Sequence, residues 1–159
     1  MISRRAKLAW LYGISLSAAA ACLAAVAAAP LLMAHGSKNA VLIYALFSPL
    51  CHQRPDRSFF LAGFPLAVCA RCLGIYGGAF LGLAARPLVR PLTDLRPPRT
   101  AVFLAASLPL AIDAVGNGLR FWSSPGWLRL ATGLVWGPFL PYYFLSGIGS
   151  LFASPDERK

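Results

Sequence analysis

The strongest constraint on this chain is residues 8–33, an uncharged run of about 26 residues behind the basic cluster Arg4, Arg5 and Lys7. A bilayer hydrocarbon core roughly 30 Å thick takes about 20 helical residues to cross. Within it every backbone polar group has to be satisfied internally, which selects a helix for such a run. The run exceeds the roughly 7 to 15 apolar residues of a secretory signal core, so it reads as a retained span and not a cleaved leader.

Three further apolar stretches follow. Residues 66–85 form a second span opened by Pro65, a residue suited to a first helical turn. Residues 101–115 form a third, broken by Gly116, Asn117 and Gly118, and residues 127–152 a fourth, kinked at Pro138 and Pro141. Residues 40–50 are apolar but too short to cross, as an interfacial or re-entrant helix would be. The expected fold is all-α, a polytopic membrane bundle of about four transmembrane helices plus one short helix, in a single membrane domain over residues 1–159. Charged residues make up 13% of the chain, against about 25% in ordinary soluble domains, and 58% is hydrophobic. Soluble and disordered classes are thereby excluded.

The net charge of +10 does not indicate nucleic-acid binding, because the positive residues lie between apolar spans and do not form one patch. They orient the chain in the bilayer instead. With the N-terminus inside, nine of the fifteen Lys and Arg fall on the inner side: Arg4, Arg5, Lys7, Arg158, Lys159 and four arginines of the Pro-rich stretch, Arg86, Arg90, Arg96 and Arg99. The expectation is a multi-pass protein of the cell membrane with both termini cytoplasmic.

Gly74, Gly78 and Gly82 recur every four residues and place a side-chain-free stripe on the second span. Helix backbones approach closely along such stripes in lipid. The partner is either another helix of this chain or a second copy, which would make a homo-oligomer.

The chemistry-bearing residues collect on the outer side. Cys22 sits mid-span and behaves as a small apolar residue. Cys69 and Cys72 form a C-x-x-C in the first turns of the second span, on one helical face, and Cys51 and His52 precede them. The helix N-terminus and Arg71 favour thiolate there. In a metal reading Cys51, His52, Cys69 and Cys72 form a tetrahedral Cys/His set of the kind zinc takes. In a redox reading the C-x-x-C cycles between dithiol and disulfide, with Cys51 as a third thiol and a quinone as an electron partner. In a structural reading Cys51 pairs with one of the two in a membrane scaffold or transporter-like protein. These three stay open.

Asp113 near the outer end of the third span is a candidate functional carboxylate, since such groups are costly in a membrane. An ion pair to Arg71 or Arg120 is its simplest explanation. Cys69, Cys72, Arg71 and Asp113 are thus the catalytic candidates. Gln53, Arg57, Arg120, Arg129 and Thr132 are candidates for binding a cofactor or an anionic group through charge-assisted hydrogen bonds.

Cys51-His52-Gln53, Arg57-Ser58-Phe59 and Cys69-Ala70-Arg71-Cys72 with Gly74-Ile75-Tyr76 resemble the signature of a family of small prokaryotic predicted integral membrane proteins, catalogued as a domain of unknown function. Ile112-Asp113, Gly118-Leu119-Arg120 and Arg129 with Thr132-Gly133 resemble its second motif block. The chain departs from that pattern at Asn117 and across residues 121–124. The resemblance spans roughly residues 51–137; it implies a membrane protein with a cysteine site and names no reaction.

Overall fold

The computed structural model describes residues 3–94 and 96–150, and regular structure in them is mostly helical. Helix α1 (Arg4–Ala34) starts where the Ser3 hydroxyl accepts the Ala6 amide at 3.3 Å. It closes at Gly36, whose φ of +69° lets the Ser37 amide return to the Leu32 carbonyl at 2.9 Å. Its 31 residues extend roughly 46 Å, more than the hydrocarbon core requires. Helix α2 (Asn39–Phe47) is the short helix expected over residues 40–50.

A β-hairpin absent from the all-α expectation comes next. β1 (Phe60–Leu61) and β2 (Phe64–Pro65) pair antiparallel, with Phe60 opposite Pro65 and Leu61 opposite Phe64. Ala62 and Gly63 both have positive φ, 52° and 83°, as the tight turn of a two-residue hairpin requires. Pro65 therefore ends a strand and does not open the second span, which begins later, as α3 (Ala70–Val89).

The same helix continues past Arg86 and Pro87, where the proline-rich sequence suggests a stop. Pro87 has no N–H to offer the Leu83 carbonyl. The Tyr12 hydroxyl of α1 donates to that carbonyl at 3.1 Å and satisfies it from outside the helix. At this same end the buried Arg86 donates to the Asp94 carbonyl at 2.7 Å, with its guanidinium carbon 5.1 Å from the centroid of the Tyr142 ring.

The third span, α4 (Thr100–Gly118), runs through the glycines expected to break it. Gly116 costs the helix only about 1 kcal/mol in propensity, and its bare Cα leaves room for the Trp122 ring folded against it. The helix closes two residues later at Arg120, φ 62°, as the Phe121 amide bonds the Gly116 carbonyl at 2.9 Å. Leu104, Leu108, Ile112 and Val115 lie along one exposed apolar face of α4, the face such a helix turns to lipid.

The expected fourth span is two helices, α5 (Gly126–Trp136) and α6 (Phe139–Ser150), divided at Gly137 and Pro138. Pro138 lacks the donor that would carry the ladder across. With 11 and 12 residues each is about 17 Å long, so neither crosses alone. Residues 151–152 lie outside the described residues, as does the expected cytoplasmic C-terminus. Among the described residues three helices, α1, α3 and α4, are individually long and apolar enough to cross a membrane.

The glycine stripe of α3 is occupied within the chain, by α5 and the residues after it. A Cβ on Gly78 would fall 2.6 Å from the Leu134 carbonyl oxygen, and one on Gly82 2.8 Å from the Pro138 Cα. The facing helix answers with its own glycine: a Cβ on Gly133 would fall 2.8 Å from the Ile75 amide nitrogen. The two backbones touch along this seam. Gly74, Gly78 and Gly82 are buried there, so of the two partners open to the stripe it is a helix of the same chain that fills it.

Candidate functional site

Cys51, Cys69 and Cys72 reach one point from two directions. Cys51 follows α2 and joins a buried apolar cluster with Val26 and Ala29 of α1, Phe47 and Val68. Cys69 is the N-cap of α3, and Cys72 lies in its first turn. The three sulfurs lie within 4.8 Å of one another and can hold a metal ion. All are free thiols.

The amide of Cys69 donates to the Cys51 sulfur at 3.2 Å, so the open start of α3 feeds a backbone donor into the cluster. The Cys69 thiol is held well below its ordinary range, first by a hydrogen bond from Cys51, then by one from Cys72, with the Cys72 and Arg71 amides adding to the effect. Cys22 is free and half-buried on α1, packed against the apolar cluster and outside the sulfur group.

Gln53 explains how Cys51 is brought to the C-x-x-C. Its φ of 49° turns the chain back, and its amide nitrogen donates to the Tyr44 carbonyl at 2.7 Å and the Ala67 carbonyl at 2.8 Å. The side chain ties α2 to the segment before α3. Its Nε2 is committed to these two carbonyls, and Gln53 is not among the residues that line the cavity beside the sulfurs.

Beside the sulfurs opens a cavity of about 440 Å³ lined by all three cysteines, Leu50, the exposed His52, Asn117, Gly118 and five arginines: Arg54, Arg57, Arg71, Arg120 and Arg129. His52 is thus next to the metal-capable group without belonging to it. Thr132, expected here, is buried in α5 with its hydroxyl on the Arg129 carbonyl at 3.0 Å, and does not reach the cavity.

A buried polar network supports the arginines. Asp113 of α4 pairs with Arg71 of α3 and accepts the Ser124 hydroxyl. The Asn117 amide nitrogen donates to the Asp113 carboxylate at 3.0 Å and to Ser124 Oγ at 2.8 Å. Its amide oxygen accepts Arg129 Nη2 at 2.7 Å and the Ser124 amide at 3.0 Å. Asp113 thus ties Arg71, Asn117 and Ser124 together and is not among the residues that line the cavity. Ser124 escapes a reading of the sequence because it lies in an ordinary turn; its only signal is its place just before Pro125 and α5.

These residues fall within the stretch that a known family model matches. The family described as "Predicted membrane protein (DUF2085)" matches residues 51–143, more than half of the chain. The chain belongs to the DUF2085 family. Its relatives include the uncharacterized protein MJ1492 of Methanocaldococcus jannaschii, 37% identical over 105 residues that cover 66% of this chain and 67% of the relative. An uncharacterized protein of Methanothermobacter thermautotrophicus is 36% identical over 90 residues, 55% of this chain and 78% of that protein. No solved structure is significantly similar. In this DUF2085 chain Asn117 and Ser124 are joined by two hydrogen bonds, of 2.8 and 3.0 Å.

Proposed function

We propose that this DUF2085 protein holds a zinc ion on Cys51, Cys69 and Cys72 at the extracytoplasmic end of its bundle, in the cell membrane. The observation that carries this reading is the mutual approach of the three sulfurs to within 4.8 Å. Zinc–sulfur bonds of about 2.3 Å in a tetrahedron separate the sulfurs by roughly 3.8 Å, so small side-chain adjustments suffice. Cys51, Cys69 and Cys72 would supply three ligands and leave a fourth position for His52 or water, and an open position is what reactive zinc sites keep. The orientation rests on the charge of the basic N-terminus and of the arginine-rich loop, which lie at the ends of α1 and α3 that the Tyr12–Leu83 hydrogen bond joins.

The measurement that tests this is metal content together with free thiols on protein purified without chelators. About one zinc per chain, lost in Cys69→Ala and Cys72→Ala, is the expected result. Metal-free protein whose Cys51, Cys69 and Cys72 interconvert between thiol and disulfide would replace the zinc site with a thiol-disulfide centre. The closeness of Cys51 to the acidified Cys69 favours that second reading.

A further inference from the structure

The cavity beside the cysteines has far more positive than negative lining. Against its five arginines stand two carboxylates: Asp56, 3.1 Å from Arg54 and 3.7 Å from Arg57, and Asp113 on Arg71. Arg120 and Arg129 make no ion pair among the described residues, and Arg129 is buried, 5% exposed. The Nε–H groups of Arg57, Arg71 and Arg129 are buried without a hydrogen bond in the protein, that of Arg57 having only the 3.7 Å ion pair to Asp56. Buried guanidinium donors left unmatched are costly, and such groups are ordinarily satisfied by a partner. All three residues line the same cavity, which points to a shared anionic acceptor there.

We propose that the cavity binds a phosphate-class oxyanion, either inorganic phosphate or the phosphoester head group of a membrane lipid. A tetrahedral oxyanion offers several acceptor oxygens and up to two negative charges, which suits several planar guanidinium forks converging from different elements. Arg57 comes from the loop before the hairpin, Arg71 from α3, Arg120 from the end of α4 and Arg129 from α5. About 440 Å³ leaves room for a substituent on the phosphate, and Leu50, 70% exposed, gives the lining an apolar contact for one. The inference does not rest on the metal. A zinc ion on three thiolates carries a net charge of about −1, so the arginine excess persists with the metal in place.

The test uses the full chain in detergent, before and after chelator treatment, with two probes. Inorganic phosphate is titrated by calorimetry, and phosphatidylglycerol is counted by native mass spectrometry against diacylglycerol, which lacks the phosphoester. At least one phosphate probe is expected to bind, more weakly as salt rises. Arg57→Gln and Arg120→Gln, both away from the buried network, should each weaken it roughly tenfold. Binding of phosphate identifies the free anion as a ligand, and binding of phosphatidylglycerol alone identifies the head group. Failure of both phosphate probes, equal binding of phosphatidylglycerol and diacylglycerol, or binding indifferent to both substitutions would overturn the proposal. Phosphate binding that survives chelation, or zinc in a protein that binds neither phosphate probe, separates this inference from the zinc reading.

Discussion

Arg71 of α3 and Asp113 of α4 form an ion pair that links the C-x-x-C helix to the neighbouring span. Asn117, one turn along α4, bonds the same carboxylate and passes the contact to Arg129 of α5. Three helices are thus joined through one buried acid, and two of the arginines lining the cavity, Arg71 and Arg129, are tied into its network. Removing one partner of a buried pair leaves the other uncompensated, which costs more than the pair itself is worth. Asp113→Ala should therefore destabilise the protein by about 3 kcal/mol. Thermal unfolding in detergent checks this, and an unchanged midpoint would show that the network carries no stability.

The α3–α5 seam makes a paired prediction. Gly78→Ala sets a methyl 2.6 Å from the Leu134 carbonyl oxygen, whereas Gly77→Ala meets only the Leu134 Cδ2 at 3.5 Å, an ordinary contact. The first should cost about 1–3 kcal/mol by overpacking against backbone. The second should be neutral or slightly stabilising, since alanine is the better helix former. Equal melting temperatures for the two variants would contradict the seam.

The four cysteines should separate in metal binding. Cys51→Ser, Cys69→Ser and Cys72→Ser each remove one of the gathered sulfurs, and Cys22→Ser removes none. Zinc retention is expected in the last variant alone, measured by elemental analysis after gel filtration. Because the metal takes thiolates and displaces protons, affinity should fall as pH falls. Retention that is flat with pH would point away from thiolate ligands.

Topology is open to a direct check. Reporters fused after Arg96 and after Ser124 lie at opposite ends of α4 and should report opposite sides of the membrane. The Arg96 fusion is expected on the cytoplasmic side, by the charge of its loop. The same side for both would mean that α4 does not cross.

The helical membrane class and most of the site are legible in the order of residues along the chain. Cys69 and Cys72 are three residues apart on one helix, and that spacing alone puts them on one face. The proximity of Cys51 is only suggested by its place in the chain, because it depends on the turn at Gln53, whose positive φ has no marker in a glutamine. The hairpin is hidden for a related reason: with strands of two residues each it shows no alternation to read. Thr132 reads as a cavity residue from its place at the outer start of the fourth span, but its hydroxyl donates to the Arg129 carbonyl of its own helix.

The order of residues is enough to put this chain in a bilayer with its scarce polar groups gathered near its cysteines. Those properties follow from local length, charge and spacing, since lipid accepts only backbone that bonds within its own segment. Tertiary structure alone decided which groups meet. It gave the glycine stripe to α5, made Gln53 a clamp, divided the last span at Pro138 and left His52 beside the sulfurs instead of among them. Such contacts join residues far apart in the chain, and they depend on how closely helix backbones approach and on which face each turns inward.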